Sequence, residues 1–172
     1  MPHRHCEPDP ASGIVPPPPS DVGPVLARAR ALQQAALAGA PLQPLKGKYV
    51  GLISEDPDSP DAALFVAAAG GLGAQVAQIR PSVARLGTGS DVEPAAMWLG
   101  RLYDVVACEG LAPGTVRRIR AAAGVPVLDG LAGESHSMAD RVHELDGCGG
   151  VGADDDEGRR FLLQALLLDL IA

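Results

Sequence analysis

The chain predicts an α/β fold of three layers, a parallel sheet of about four strands with helices on both faces. Four short apolar runs, at 49–53, 74–79, 105–108 and 125–128, are the candidate strands. They are separated by helix-compatible stretches of about 10–15 residues, the length that a right-handed crossover between parallel strands requires. The third observation is compositional. The chain of 172 residues is 47% hydrophobic but only 3% aromatic, so its core has to be built from Ala, Val, Leu and Ile, and the length suffices for one self-sufficient core.

Taken in order, residues 1–24 hold half of the sixteen prolines, with Pro16 to Pro19 in a row. Such a segment favours polyproline II or disorder and buries no core, so it is expected to be a loose tail. His3 and His5 lie in it, and a pair on a floppy tail is not expected to hold a metal. From Asp21 the pattern turns helical. Asp21 is placed to cap, Pro24 to sit in the first turn, and Val25, Leu26, Ala29, Leu32, Ala36 and Leu37 recur near the helical period. Gly39 ends that helix, and Pro41 and Pro44 forbid its continuation.

The run Tyr49-Val-Gly-Leu-Ile is the first strand, followed by an acidic loop and a helix over 62–70. A second strand over 74–79 leads through a loop to a helix over 93–103, with Pro94 at a tolerated early position. The third strand is Val105-Val-Ala-Cys, the next helix spans 114–123, and Val125-Pro-Val-Leu is the fourth strand. Residues 135–145 are again helix-compatible. Glycines crowd 147–153 as a linker, and 154–172 form a last helix with acids at its start. Those carboxylates suit the positive end of the helix dipole. Leucines fall on nearly every side of that helix, so it must be buried in the domain or at an interface. In parallel sheets ligands lie at the carboxyl ends of strands, which directs attention to the loops near Ser54, Ile79, Glu109 and Asp129.

With 14 Lys and Arg against 21 Asp and Glu the net charge is −7. That sign disfavours nucleic acid and anionic membranes. No apolar run approaches the ~20 residues of a membrane span, and the start has no apolar signal region. Cys6, Cys108 and Cys148 show no C-x-x-C spacing, which with their odd number points to a reducing, cytoplasmic location. No cofactor is expected.

The run Leu45-Lys-Gly-Lys-Tyr-Val-Gly-Leu-Ile resembles the opening strand of ornithine and aspartate carbamoyltransferases. The similarity continues through Phe65-Val-Ala-Ala-Ala, Leu72-Gly-Ala-Gln-Val, Arg80-Pro-Ser, Leu86-Gly-x-Gly, Leu99-Gly-Arg-Leu-Tyr-Asp and Val125-Pro-Val-Leu-Asp-Gly-Leu. His136 lies where the family's H-P-T-Q motif starts. Residues 25–146 are thereby identified as similar to the family's N-terminal, carbamoyl-phosphate-binding domain. The family's second domain, which binds ornithine or aspartate, is expected to be replaced by the linker at 147–153. The terminal helix resembles the family's returning helix, and the resemblance implies a homotrimer.

Where the family carries S-T-R-T-R, whose amides and arginines hold the phosphate, this chain carries Asp58-Ser59-Pro60-Asp61-Ala62. Both arginines are absent, Pro60 removes an amide donor, and two carboxylates have arrived. Glu109 stands where the family's third strand ends with an arginine. In the motif that begins at His136 the glutamine is replaced by Ala139. Ser59 and His136 are the remaining ligand-binding candidates at family positions. No residue is expected to be catalytic.

Other motifs were weighed on the same terms. Gly147, Gly149 and Gly152 spell G-x-G-x-x-G, but a helix precedes them and acids follow, against dinucleotide binding. Glu134, Ser135 and His136 are neighbours in sequence without a nucleophile elbow. His136, Asp140 and His143 share a helix face that reads as a solvated polar face rather than a metal site. Two functions follow as expectations. One is a non-catalytic, assembly or regulatory module, a pseudoenzyme partnered with itself or with a full-length carbamoyltransferase or dihydroorotase. The other is an enzyme or small-molecule binder whose acids Glu55, Asp56, Asp58, Asp61 and Glu109 take a cation or amine.

Overall fold

The computed structural model describes residues 23–82, 91–133 and 155–171. Within them the order is α1 (Gly23–Leu37), β1 (Tyr49–Ser54), α2 (Pro60–Gly71), β2 (Gln75–Ile79), α3 (Val92–Leu102), β3 (Val105–Glu109), α4 (Pro113–Ala123), β4 (Val127–Asp129) and α5 (Asp155–Ile171). The strands form one sheet in the order β2-β1-β3-β4, and every pairing is parallel. The expected α/β architecture is therefore the one observed.

Each element follows from local chemistry. The α2 helix begins earlier than the period alone predicts, because Ser59 caps it: its Oγ accepts from the Ala62 N–H at 3.2 Å, and Pro60 occupies the first turn. The α4 helix likewise starts on a proline and ends on Gly124, whose φ of 69° is the left-handed conformation that glycine adopts freely. The fourth strand is displaced from the expected 125–128 to 127–129. Pro126 has no N–H to give the ladder, so its carbonyl accepts from Val106 N–H while the strand proper starts one residue later.

Helices cover both sheet faces. On one, α1, α2 and α5 bury Phe65, Leu52, Leu72, Phe161 and Leu167 together with Val50 and Val105. On the other, α3 and α4 enclose Ile53, Val106, Cys108, Val116 and Ile119. The all-round leucines of α5 are explained by this position: Phe161 to Leu167 are all buried. Its one polar residue in that run, Gln164, donates to the Ala68 carbonyl of α2 at 3.1 Å, so burial leaves its amide satisfied. Arg28 of α1 and Asp169 of α5 form a surface ion pair.

The α3–α4 face is closed differently. A Cβ built on Gly100 would lie 1.7 Å from the Ala123 carbonyl oxygen. The two helices can touch there only through glycine. Arg118 and Glu93 join them at the rim, two N–H groups to two oxygens at 2.7 and 2.8 Å. The sheet itself has unequal edges: β4 has three residues, whereas β2 has five, with Gln75 and Gln78 exposed. Among the described residues no helix is long and apolar enough to cross a membrane.

Candidate functional site

The parallel register brings the carboxyl ends of three strands together. Ser54 pairs with Glu109, and Cys108 pairs with Asp129. After β4 the chain turns at Gly130, whose N–H donates to the Cys108 carbonyl at 2.9 Å and whose φ is 59°. The loop that follows passes over Glu109. The Ala132 N–H donates to Glu109 Oε1 at 3.2 Å, and the residue is only 4% exposed.

Arg159 enters the site from the first turns of α5. Its Nη2 donates to the Ala132 carbonyl at 2.9 Å and lies 3.6 Å from Asp61 Oδ1. Its Nη1 is 3.7 Å from Asp156. A single guanidinium thus bridges the start of α2, the loop after β4 and the start of α5. Nothing in the sequence flagged it. Arg159-Arg160 follows a run of acids after one glycine, but that run also fits helix-dipole compensation, and i,i+3 pairs such as Glu157–Arg160 do form.

The electrostatics follow from burial. Desolvation drives the Glu109 carboxyl up to about 7; the Ala132 and Leu131 N–H groups oppose this, while the charges of Asp61 and Asp129 reinforce it. Asp129 is raised by burial, with Arg120 acting against it. Burial, then Asp129 and Glu109, push the Cys108 thiol to about 12, so it stays protonated and unreactive.

The residues singled out by sequence have mixed positions. Asp61 lies near enough to Glu109 for its charge to act on that carboxyl. Ser59 lies beside them in sequence, but its hydroxyl oxygen is engaged in capping α2. Ala62 is fully buried and Pro60 forms the helix start. Asp58 is exposed, and its N–H is held by the Asp56 carboxylate at 3.1 Å. Glu55 and Asp56 are exposed as well. His136, Ala139, Glu134, Ser135, Asp140, His143 and the linker at 147–153 lie outside the described residues, as do His3, His5, Cys6 and Cys148.

Chemically, the arrangement offers three carboxyls, of which Glu109 is the one poised to exchange a proton near neutral pH, and one guanidinium already bound to protein oxygens. Among the described residues no group of three or more His, Cys, Asp or Glu is placed to hold a metal ion.

No protein-family model matches the chain. Among curated proteins it is similar to ornithine carbamoyltransferases of Actinobacillus pleuropneumoniae serotype 5b and Haemophilus influenzae, at 34% and 35% identity over 122 residues. Those residues are 69% of this chain and 36% of each relative. The chain thus spans about a third of the relatives' length. Among solved structures it shares the fold of ornithine carbamoyltransferase from Pyrococcus furiosus, with TM-score 0.56 and 24% identity over 62% of this chain and 34% of that one. For the Burkholderia thailandensis ornithine enzyme the values are 0.57 and 24%, over 64% and 38%. For the catalytic subunit of M. jannaschii aspartate transcarbamoylase they are 0.55 and 20%, over 69% and 40%. The matched length, the parallel sheet and the order of motifs from Leu45 to Leu131 agree: the chain belongs to the aspartate/ornithine carbamoyltransferase family and corresponds to its N-terminal domain.

Proposed function

We propose that this chain is a non-catalytic member of its family, a cytoplasmic assembly or regulatory module rather than a transferase. The observation that carries the reading is the charge at the strand ends. Glu109, Asp61 and Asp129 converge there; Arg159 is engaged with Asp61, Asp156 and the Ala132 carbonyl, and Arg120, which acts on Asp129, donates to the Val127 carbonyl. A dianionic phosphate in this position would face carboxylates. Each close like-charge pair costs on the order of 4 kcal/mol at an effective dielectric of ~20. Ser59, the remaining hydroxyl of the loop, is engaged as a cap. The family's second-substrate domain finds no counterpart in the matched segment, and holding two reactants together supplies much of a transferase's rate.

The same charge supports a second reading, in which the site takes an amine or other cation and the chain remains a small-molecule binder or enzyme of amino-acid or pyrimidine metabolism. Arg159 already fills that role internally, which favours the first reading. As a module, the chain is expected to assemble as a homotrimer, or with a full-length carbamoyltransferase or dihydroorotase.

Isothermal titration with carbamoyl phosphate tests the reading directly. No heat of binding is expected at millimolar ligand; saturable binding would overturn it. Binding of a polyamine or amino acid in the same assay would transfer support to the second reading. Light scattering on the eluting protein counts subunits, and a stable monomer at micromolar concentration would remove the assembly role.

A further inference from the structure

One residue in the site is gripped through both of its backbone polar groups, which belong to consecutive peptide units. The N–H of Ala132 is held by the buried Glu109 carboxyl of β3, and its carbonyl is held by Arg159 of α5. Arg159 is in turn tied to Asp61 of α2 and to Asp156 one turn before it. Four separate pieces of chain therefore meet at the backbone of a single residue. We propose that the main chain at Ala132, held through its N–H by Glu109 and through its carbonyl by Arg159, is a pH-responsive latch that docks the first turns of α5 onto the strand ends.

The groups that face Glu109 determine which protonation state fits the closed form. Asp61 comes from α2, Asp129 from the end of β4, and the Cys108 thiol from β3 itself; the cations are Arg159 of α5, already bound, and Arg120 of α4, which acts on Asp129. A neutral Glu109 accepts the Ala132 N–H without adding charge to this group. An ionised Glu109 becomes a third carboxylate in a space that burial has stripped of water. It gains stabilisation if the loop and α5 lift and admit solvent. Its carboxyl stands at about 7 in the closed form against an ordinary 4.5. A raised value in the closed form means that closure is favoured below the ordinary carboxylate range and progressively lost as pH rises through about 7. Between about pH 5 and about pH 8.5 the open fraction is expected to grow by roughly 50- to 100-fold.

Amide hydrogen exchange across that pH range, corrected for intrinsic rates, tests the latch on the full chain. In the wild type, protection of the amides at 158–163 should fall by the stated factor while β1 amides keep theirs. Glu109→Gln preserves an oxygen acceptor for Ala132 but cannot ionise, so its α5 protection should be independent of pH. Arg159→Lys retains a charge for Asp61 but loses the fork to the Ala132 carbonyl, so α5 should exchange faster at every pH. Protection of α5 that is flat with pH in the wild type would overturn the proposal. So would an equal fall in Glu109→Gln, or a fall shared equally by β1, which reports global unfolding. The outcome is independent of whether the chain binds carbamoyl phosphate.

Discussion

The two faces of the sheet are closed by different means. On the α1–α2–α5 side the space between sheet and helices is filled by large side chains, with Phe65, Leu52, Leu72 and Leu167 all fully buried. On the α3–α4 side the helices come together through backbone, with Gly100 set against the Ala123 carbonyl. The first arrangement derives its stability from apolar area and dispersion, so it suffers when volume is removed. The second also encloses apolar side chains, but its helix–helix contact depends on the absence of one at Gly100, so it suffers when volume is added there.

Substitutions sharpen that contrast. Phe65→Ala is expected to destabilise by about 4 kcal/mol, the transfer loss plus the cavity left behind, and a denaturant titration with unchanged slope would confirm it. On the opposite face the smallest possible addition, Gly100→Ala, should cost about 2–3 kcal/mol, since the neighbour that must yield is backbone. Were Gly100→Ala neutral, the distinction between the faces would collapse.

The next effect belongs to the strand ends rather than to either core. Because Glu109 is raised to about 7 from 4.5, it contributes stability below the ordinary carboxylate range and loses it as pH rises toward about 7. At about pH 8, Glu109→Gln should be more stable than the wild type by about 2 kcal/mol, and the advantage should vanish near pH 4. Thermal melts at the two pH values measure it, and a variant less stable than the wild type at both would show that burying the ionised carboxyl is not what costs the wild type stability. The smallest change is expected for Arg118→Ala. Its partner Glu93 is a solvent-exposed carboxylate held below its usual range by that guanidinium, and such rim pairs contribute little. No difference beyond the error of a melt is expected.

How much of this was legible beforehand differs between fold and site. Sheet class, strand number and the location of each helix follow from apolar runs and their spacing, because burial on both faces of a parallel strand leaves a continuous signature. The displacement of β4 was also written in the chain, in the missing N–H of Pro126. The site was half legible. Asp61 and Glu109 stand at strand and helix ends, where position alone makes them suspects. Arg159 does not, since it lies 50 residues beyond Glu109 in a helix whose sequence explains its charges locally. Long-range pairing of a guanidinium with another residue's carbonyl leaves no periodic trace. Ser59, a ligand candidate by its position alone, stands before a proline and so is equally placed as the N-cap of the next helix, and its hydroxyl oxygen accepts in that cap.

The unequal edges of the sheet carry a final consequence. A three-residue strand that follows a proline offers almost no unpaired backbone to a passing chain. The β2 edge is longer and, among the described residues, has no further strand beside it; its exposed residues Gln75 and Gln78 are polar but uncharged. Glutamine does not repel a neighbouring strand as lysine would. When the protein is concentrated or warmed, β2 is where intermolecular pairing should nucleate, and a lysine at position 78 should slow precipitation, provided that losing the bond from Gln78 to the Pro57 carbonyl is tolerated.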